Sequence, residues 1–183
     1  MRIISGFLKG RTYDAPVQDW PTRPTTNRAK EGLFNTLMHR MDFKEVRVLD
    51  LFGGTGNISF EFLSRGCRDV TMVDDHKACI DFVKDLAEHW QLAEYFHPLY
   101  TDVMSFLETT SSGPYNVIFA DPPYDFIEAD EILRIIFKRD LLTNPGVFVM
   151  EHDKRHDFNQ HPRWVETREY GSTQFSYFYR REE

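Results

Sequence analysis

From residue 46 to residue 151 the chain alternates short apolar, β-branched runs with amphipathic stretches, and this restricts the fold more than any other feature. Runs at 46–51, 70–73, 95–100, 115–120 and 147–151 read as strands. Helical periodicity covers 58–65, 77–90, 103–107 and 128–137. Strands alternating with helices predict a mostly parallel sheet with helices on both faces, an α/β architecture. Residues 164–170 and 174–180, joined by Gly171-Ser172-Thr173, predict an antiparallel C-terminal hairpin. The first forty residues differ in style. Segments 2–5 and 11–14 read as short strands around a turn at 6–10, and Pro16, Pro21 and Pro24 then keep the chain extended. Thr25, Thr26 and Asn27 are helix-capping types, and Ala29, Leu33, Phe34, Leu37 and Met38 follow on one helical face. No repeat, low-complexity tract or linker interrupts the sequence. The expectation is one domain, 1–183, with an N-terminal β/helix extension at 1–40 and a Rossmann-like core at 41–183.

In such sheets a ligand binds beyond the carboxyl ends of the strands, where strand order reverses. Asp50-Leu51-Phe52-Gly53-Gly54-Thr55-Gly56-Asn57 follows the first core strand. Glycines allow a tight turn and close approach of backbone to ligand. The third glycine of a dinucleotide fingerprint would fall at Ser59, which weakens a NAD reading. Asp50 ahead of the turn would repel a pyrophosphate and suits a ligand with a cationic amino-acid portion. Asp74 ends the second strand about twenty residues on, a position suited to ribose hydroxyls. Asp102 follows the third strand, where a carboxylate can accept from an adenine amino group. S-adenosylmethionine, which has ribose hydroxyls, an amino group and an adenine but no phosphate, fits these acids better than NAD does.

The fourth strand ends in Asp121-Pro122-Pro123-Tyr124, the most specific signal in the chain. The prolines fix φ and remove two N–H donors, leaving carbonyls as acceptors. An amino group conjugated to a purine is a weak nucleophile because its lone pair is delocalised. Accepting its hydrogens at Asp121 and a proline carbonyl localises that pair and aims it at a methyl donor. Tyr124 offers a ring on which an extruded base can lie.

The chain carries a formal charge of −7, unevenly distributed. Residues 1–40 hold seven basic side chains against three acidic ones, so the remainder is strongly acidic. Arg11, Arg23 and Arg28 are candidates for phosphate contact on this basic arm. No apolar run is long enough to span a membrane, and the N-terminus lacks the apolar core of a secretory signal. Cys67 and Cys79 form no metal-binding or redox spacing and read as reduced thiols, so a cytoplasmic location is expected. His152, His156 and His161 lack a complementary cysteine, and no metal is expected. Phe175, Tyr177 and Tyr179 alternate on one strand face and are read as packing residues.

Four segments resemble the RsmD family: 23–35, 48–56, 63–66 and Asp121-Pro122-Pro123-Tyr124. The opening residues 1–6 and 8–11 and the late Tyr170-Gly171-Ser172-Thr173 are similar to it as well, so the likeness runs nearly end to end. The resemblance implies a seven-stranded class I S-adenosylmethionine-dependent methyltransferase fold acting on the N2 amino group of a guanine in 16S rRNA. It implies a partly assembled small ribosomal subunit as partner. It also implies that Phe52 belongs to the cofactor turn and that Thr26, Lys30 and Phe34 lie near the methionine end of the cofactor, although Phe34 equally fits the apolar face of its helix. The turn reads Gly-Thr-Gly-Asn where the family has Gly-Ser-Gly, and Asp74 stands where Glu is common, both mild departures. A DNA adenine-N6 methyltransferase would use related chemistry but needs a further region to read a duplex. A noncatalytic assembly factor would not need the intact tetrapeptide.

Overall fold

The computed structural model describes residues 1–16, 25–123 and 129–180. Helix α1 (Asn27–Met38) starts where Thr26 accepts a hydrogen bond from the Ala29 amide, and it buries Ala29, Leu33, Phe34 and Leu37. After a short 3₁₀ turn (Phe43–Glu45) the core runs β1 (Val48–Leu51), α2 (Asn57–Ser64), β2 (Val70–Asp74), α3 (Lys77–His89) and β3 (Phe96–Tyr100). It continues with α4 (Val103–Thr109), β4 (Tyr115–Ala120), α5 (Ala129–Lys138), β5 (Leu142–His152), β6 (Trp164–Tyr170) and β7 (Thr173–Tyr179).

The seven strands lie in the order β3-β2-β1-β4-β5-β7-β6. Pairings among β1 to β5 are parallel, and β7 pairs antiparallel with both β5 and β6. Every residue of β1 and β2 is buried, as expected of strands covered on both faces. Alternate residues feed opposite cores. Val117 and Phe119 join a cluster with α1, α2 and α3, whereas Ile118 and Ala120 join one with α4 and α5. Strand order reverses between β1 and β4, which places a crevice at their carboxyl ends.

Two local expectations are adjusted. The N-terminal segments 2–5 and 11–14 pair through a single antiparallel bridge, Arg2 with Thr12, rather than through two full strands. Strand β5 begins at Leu142, five residues earlier than its apolar run, and absorbs Pro145 and Gly146 in a register shift against β4.

Candidate active site

The turn after β1 is held in a conformation few residues adopt. Phe52, Gly54 and Gly56 have φ of 59°, 52° and 73°. For Phe52, which carries a β-carbon, this region costs about 1–3 kcal/mol, and such strain gathers at functional sites. At Gly53 a β-carbon would lie 2.4 Å from the Met72 Cγ, so only glycine lets the turn sit against β2. Asp74 is the strut between the two strand ends. Its Oδ2 accepts from the Gly54 amide at 2.8 Å and its Oδ1 from the His76 amide at 2.8 Å. Thr55 is buried, and its carbonyl accepts from the Tyr13 hydroxyl at 3.3 Å.

Three carboxyl groups converge at the crevice. Asp50 in β1 is buried, and its Oδ2 accepts from the Ser59 hydroxyl at 2.6 Å. Burial pushes its pKa up to about 7. Asp50 stands opposite Phe119 in the ladder, so Asp121, two residues on, belongs to the same sheet face. Ala120 pairs with Met150, and Asp121 and Glu151 directly follow this last rung of the β4–β5 pair. Asp121 is half-buried. Burial first, then the charges of Glu151 and Asp50, hold its carboxyl well above the usual range. Pro122 is half-buried and Pro123 exposed. Both border a shallow, solvent-open depression on the α5 side of the sheet, with Ala129, Met150, His156 and Phe158 among its other walls.

The N-terminal segment closes the other side. The Thr25 hydroxyl donates to Glu151 Oε2 at 2.6 Å, and the Thr25 carbonyl accepts from the Asn57 amide nitrogen at 3.0 Å. Asn57 Oδ1 in turn accepts from Lys30 Nζ at 2.8 Å. The Lys30 ammonium, wholly buried, also donates to the Arg2 carbonyl at 2.6 Å and lies 3.3 Å from Glu61 Oε2. Burial lowers its pKa, and Glu61 opposes that shift. Glu61 further accepts from the Ile4 and Ser5 amides and from Arg65. A continuous polar chain thus runs from the N-terminal turn through α1 and α2 to the tip of β5.

Other expected residues lie as follows. Thr26 caps α1 and is exposed. Asp102 caps α4, with Oδ1 accepting from the Ser105 amide at 2.8 Å, and is exposed on the β3 side. Phe34 is fully buried, edge-on to Phe43 and Phe62, which makes it a core residue. Phe175 and Tyr177 are likewise buried in the core. Arg28 and Arg11 are exposed, the Arg11 guanidinium 5.8 Å from the centre of the Trp90 ring. Arg23 and Tyr124 lie outside the described residues. His152 bonds the Ser176 hydroxyl and the Asp153 carbonyl, and among the described residues no cluster of three metal-binding side chains occurs.

The family described as "Conserved hypothetical protein 95" matches residues 1–179. Ribosomal RNA small subunit methyltransferase D of Escherichia coli K12 is 31% identical over 186 residues, covering 100% of this chain and 90% of that one. The Haemophilus influenzae protein of the same name is 30% identical over 156 residues, covering 84% and 79%. The chain belongs to the RsmD family. Solved structures agree on the fold. A Thermus thermophilus protein superposes with a TM-score of 0.82 at 23% identity, covering 98% of this chain and 99% of that one. An RNA methyltransferase from Salinibacter ruber, in complex with S-adenosyl-L-homocysteine, gives 0.69 at 12% identity, covering 88% and 95%. The seven-stranded sheet is that of class I methyltransferases.

In this RsmD chain the sequence reading missed Thr25, Asn57, Ser59, Glu61 and Glu151. Each is a polar residue buried at an element end or inside a helix. Glu61 and Ser59 carried a usable signal, since both sit mid-helix in the apolar stretch 58–63. Nothing in the local sequence marks Glu151, which reads as the ordinary polar end of a strand.

Proposed function

We propose that this protein transfers a methyl group from S-adenosylmethionine to the exocyclic N2 amino group of a guanine in 16S rRNA, within an assembled or partly assembled small ribosomal subunit in the cytoplasm. One observation carries the reading. Asp121 and Asp50 share a sheet face across the reversal between β1 and β4, next to a strained glycine turn.

The residues present fit the cofactor. The turn 52–56 contains no lysine or arginine to meet a phosphate. Asp50 is a buried carboxyl that accepts from the neutral hydroxyl and amide of Ser59, which suits it to an incoming ammonium. Asp74 at the end of β2 suits ribose hydroxyls, and Asp102 at the end of β3 the adenine side. When bound, S-adenosylmethionine supplies an electrophilic methyl on a cationic sulfur. The chain's own groups do the rest. Asp121 and the Pro122 carbonyl accept the hydrogens of the target amine, and Pro123 borders the space for the extruded base. With the amine held at Asp121 and Pro122, its N2 lone pair would be aimed at the methyl group that the bound cofactor would supply. Asp121, whose raised pKa suits a proton acceptor, takes the proton that N2 sheds.

The test is transfer of labelled methyl to small-subunit particles lacking the modification, with mass mapping of the product nucleoside. N2-methylguanosine at one 16S position is expected. The Asp121→Ala variant should bind cofactor within about twofold of the parent and lose roughly 10²–10⁴ in turnover. Label appearing on another base atom, or on no RNA, would sink the assignment.

A further inference from the structure

We infer that Glu151 reads the target base as guanine by accepting its N1–H while Asp121 accepts an N2–H. This rests on the methyl-transfer reading above and adds the selecting group that the Asp-Pro-Pro-Tyr chemistry does not itself provide.

The placement is specific. Residues 121 and 151 directly follow the last paired residues of two neighbouring parallel strands, Ala120 and Met150, which sets their side chains beside each other on the face that carries Asp50. Strand neighbours lie about 4.8 Å apart, a spacing over which two carboxylates can grip adjacent donors of one ring edge. The Thr25 hydroxyl fixes Glu151 Oε2 at 2.6 Å, which leaves the group oriented rather than free to rotate away. Glu151 is buried, and its charge acts on the Asp121 carboxyl, as expected of side-by-side neighbours. With the two carboxyl groups side by side, a base whose amine meets Asp121 presents its neighbouring ring atoms to Glu151.

The chemistry selects one base. Guanine alone among the four presents N1–H and N2–H₂ side by side, both donors. Adenine and 2-aminopurine carry a lone pair at N1, which a carboxylate repels. A site built around an N–H rejects strongly an analogue that turns a lone pair toward its carboxylate.

The decisive comparison uses reconstituted small-subunit particles carrying either guanine or 2-aminopurine at the methylated position. 2-Aminopurine keeps the reacting amine and reverses N1 from donor to acceptor. The parent protein should prefer guanine by roughly 10²-fold or more in kcat/KM. In Glu151→Gln the side-chain amide can donate to that acceptor, so the preference should collapse or invert while cofactor affinity, read by calorimetry, stays within about twofold. Comparing that ratio between the parent and Glu151→Gln cancels any difference in intrinsic reactivity between the two bases. An unchanged ratio in Glu151→Gln overturns the inference. So does a parent protein that methylates both particles alike, a result that needs no variant to fold. If the parent transfers nothing to guanine particles, the failure belongs to the methyl-transfer reading instead.

Discussion

A carboxyl group titrating near neutrality is a poor counterion until something cationic arrives, and Asp50 is in that position. Its folded pKa of about 7 lies above the ordinary aspartate range because burial disfavours the charged form. A cationic ligand needs the ionised form. Cofactor affinity should therefore rise with pH up to about 7 and level off above it, weakening by up to tenfold per pH unit below. Calorimetric titration across that range measures the slope. For stability the sign is opposite. A raised folded pKa means that the native state binds more protons than the unfolded one between about 4 and 7, so ionised Asp50 costs stability at higher pH. Asp50→Asn keeps an acceptor for Ser59 and removes the charge. We expect it to melt higher than the parent above pH ~7 while losing cofactor binding; unchanged affinity would remove Asp50 from the site. Asp50, Asp74 and Asp121 were legible in the sequence because each directly ends or follows an apolar run. Lys30 and Glu151 were not legible in this way, because their roles depend on partners 27 and 126 residues away.

Elements with strong periodicity read well. Helix α3 and strands β2 and β4 match their expected spans to within a residue, because each buries a face set by its own spacing. Strand β5 reads poorly at its start, since Asn144-Pro145-Gly146 has the composition of a turn. Pairing of Leu142 with Tyr115 extends the strand across that interruption, a tertiary choice. The junction of α1 with the N-terminal segment rests on the Lys30 ammonium, which holds Arg2, Asn57 and Glu61 together. Lys30→Met leaves the Arg2 carbonyl, Asn57 and Glu61 each short of a donor. Removing one partner of a buried pair typically costs about 3–5 kcal/mol, and a loss of that order in denaturant melts is expected. A variant that melts normally but binds cofactor weakly would instead place Lys30 at the ligand, as the family resemblance implies.

Across the whole molecule, an acidic protein must meet a polyanion through a local surface, and the basic arm offers one. Arg11 and Arg28 are both exposed. Reversing them to glutamate should weaken particle binding and flatten its dependence on salt by about one unit of log–log slope for each phosphate no longer neutralised, with cofactor affinity unchanged. Filter binding over a salt series measures both effects, and an unaltered slope would move the RNA surface elsewhere. The sequence by itself determined the parallel sheet, the glycine turn and the reactive tetrapeptide. Hydrophobic period and turn chemistry act over a few residues and leave a readable trace in order. Only the tertiary structure decided that Thr25, Lys30, Asn57 and Glu61 form one buried chain, and that Glu151 stands beside Asp121. Burial and strand register join residues far apart in sequence, and a polar side chain shows no local sign that it will be enclosed.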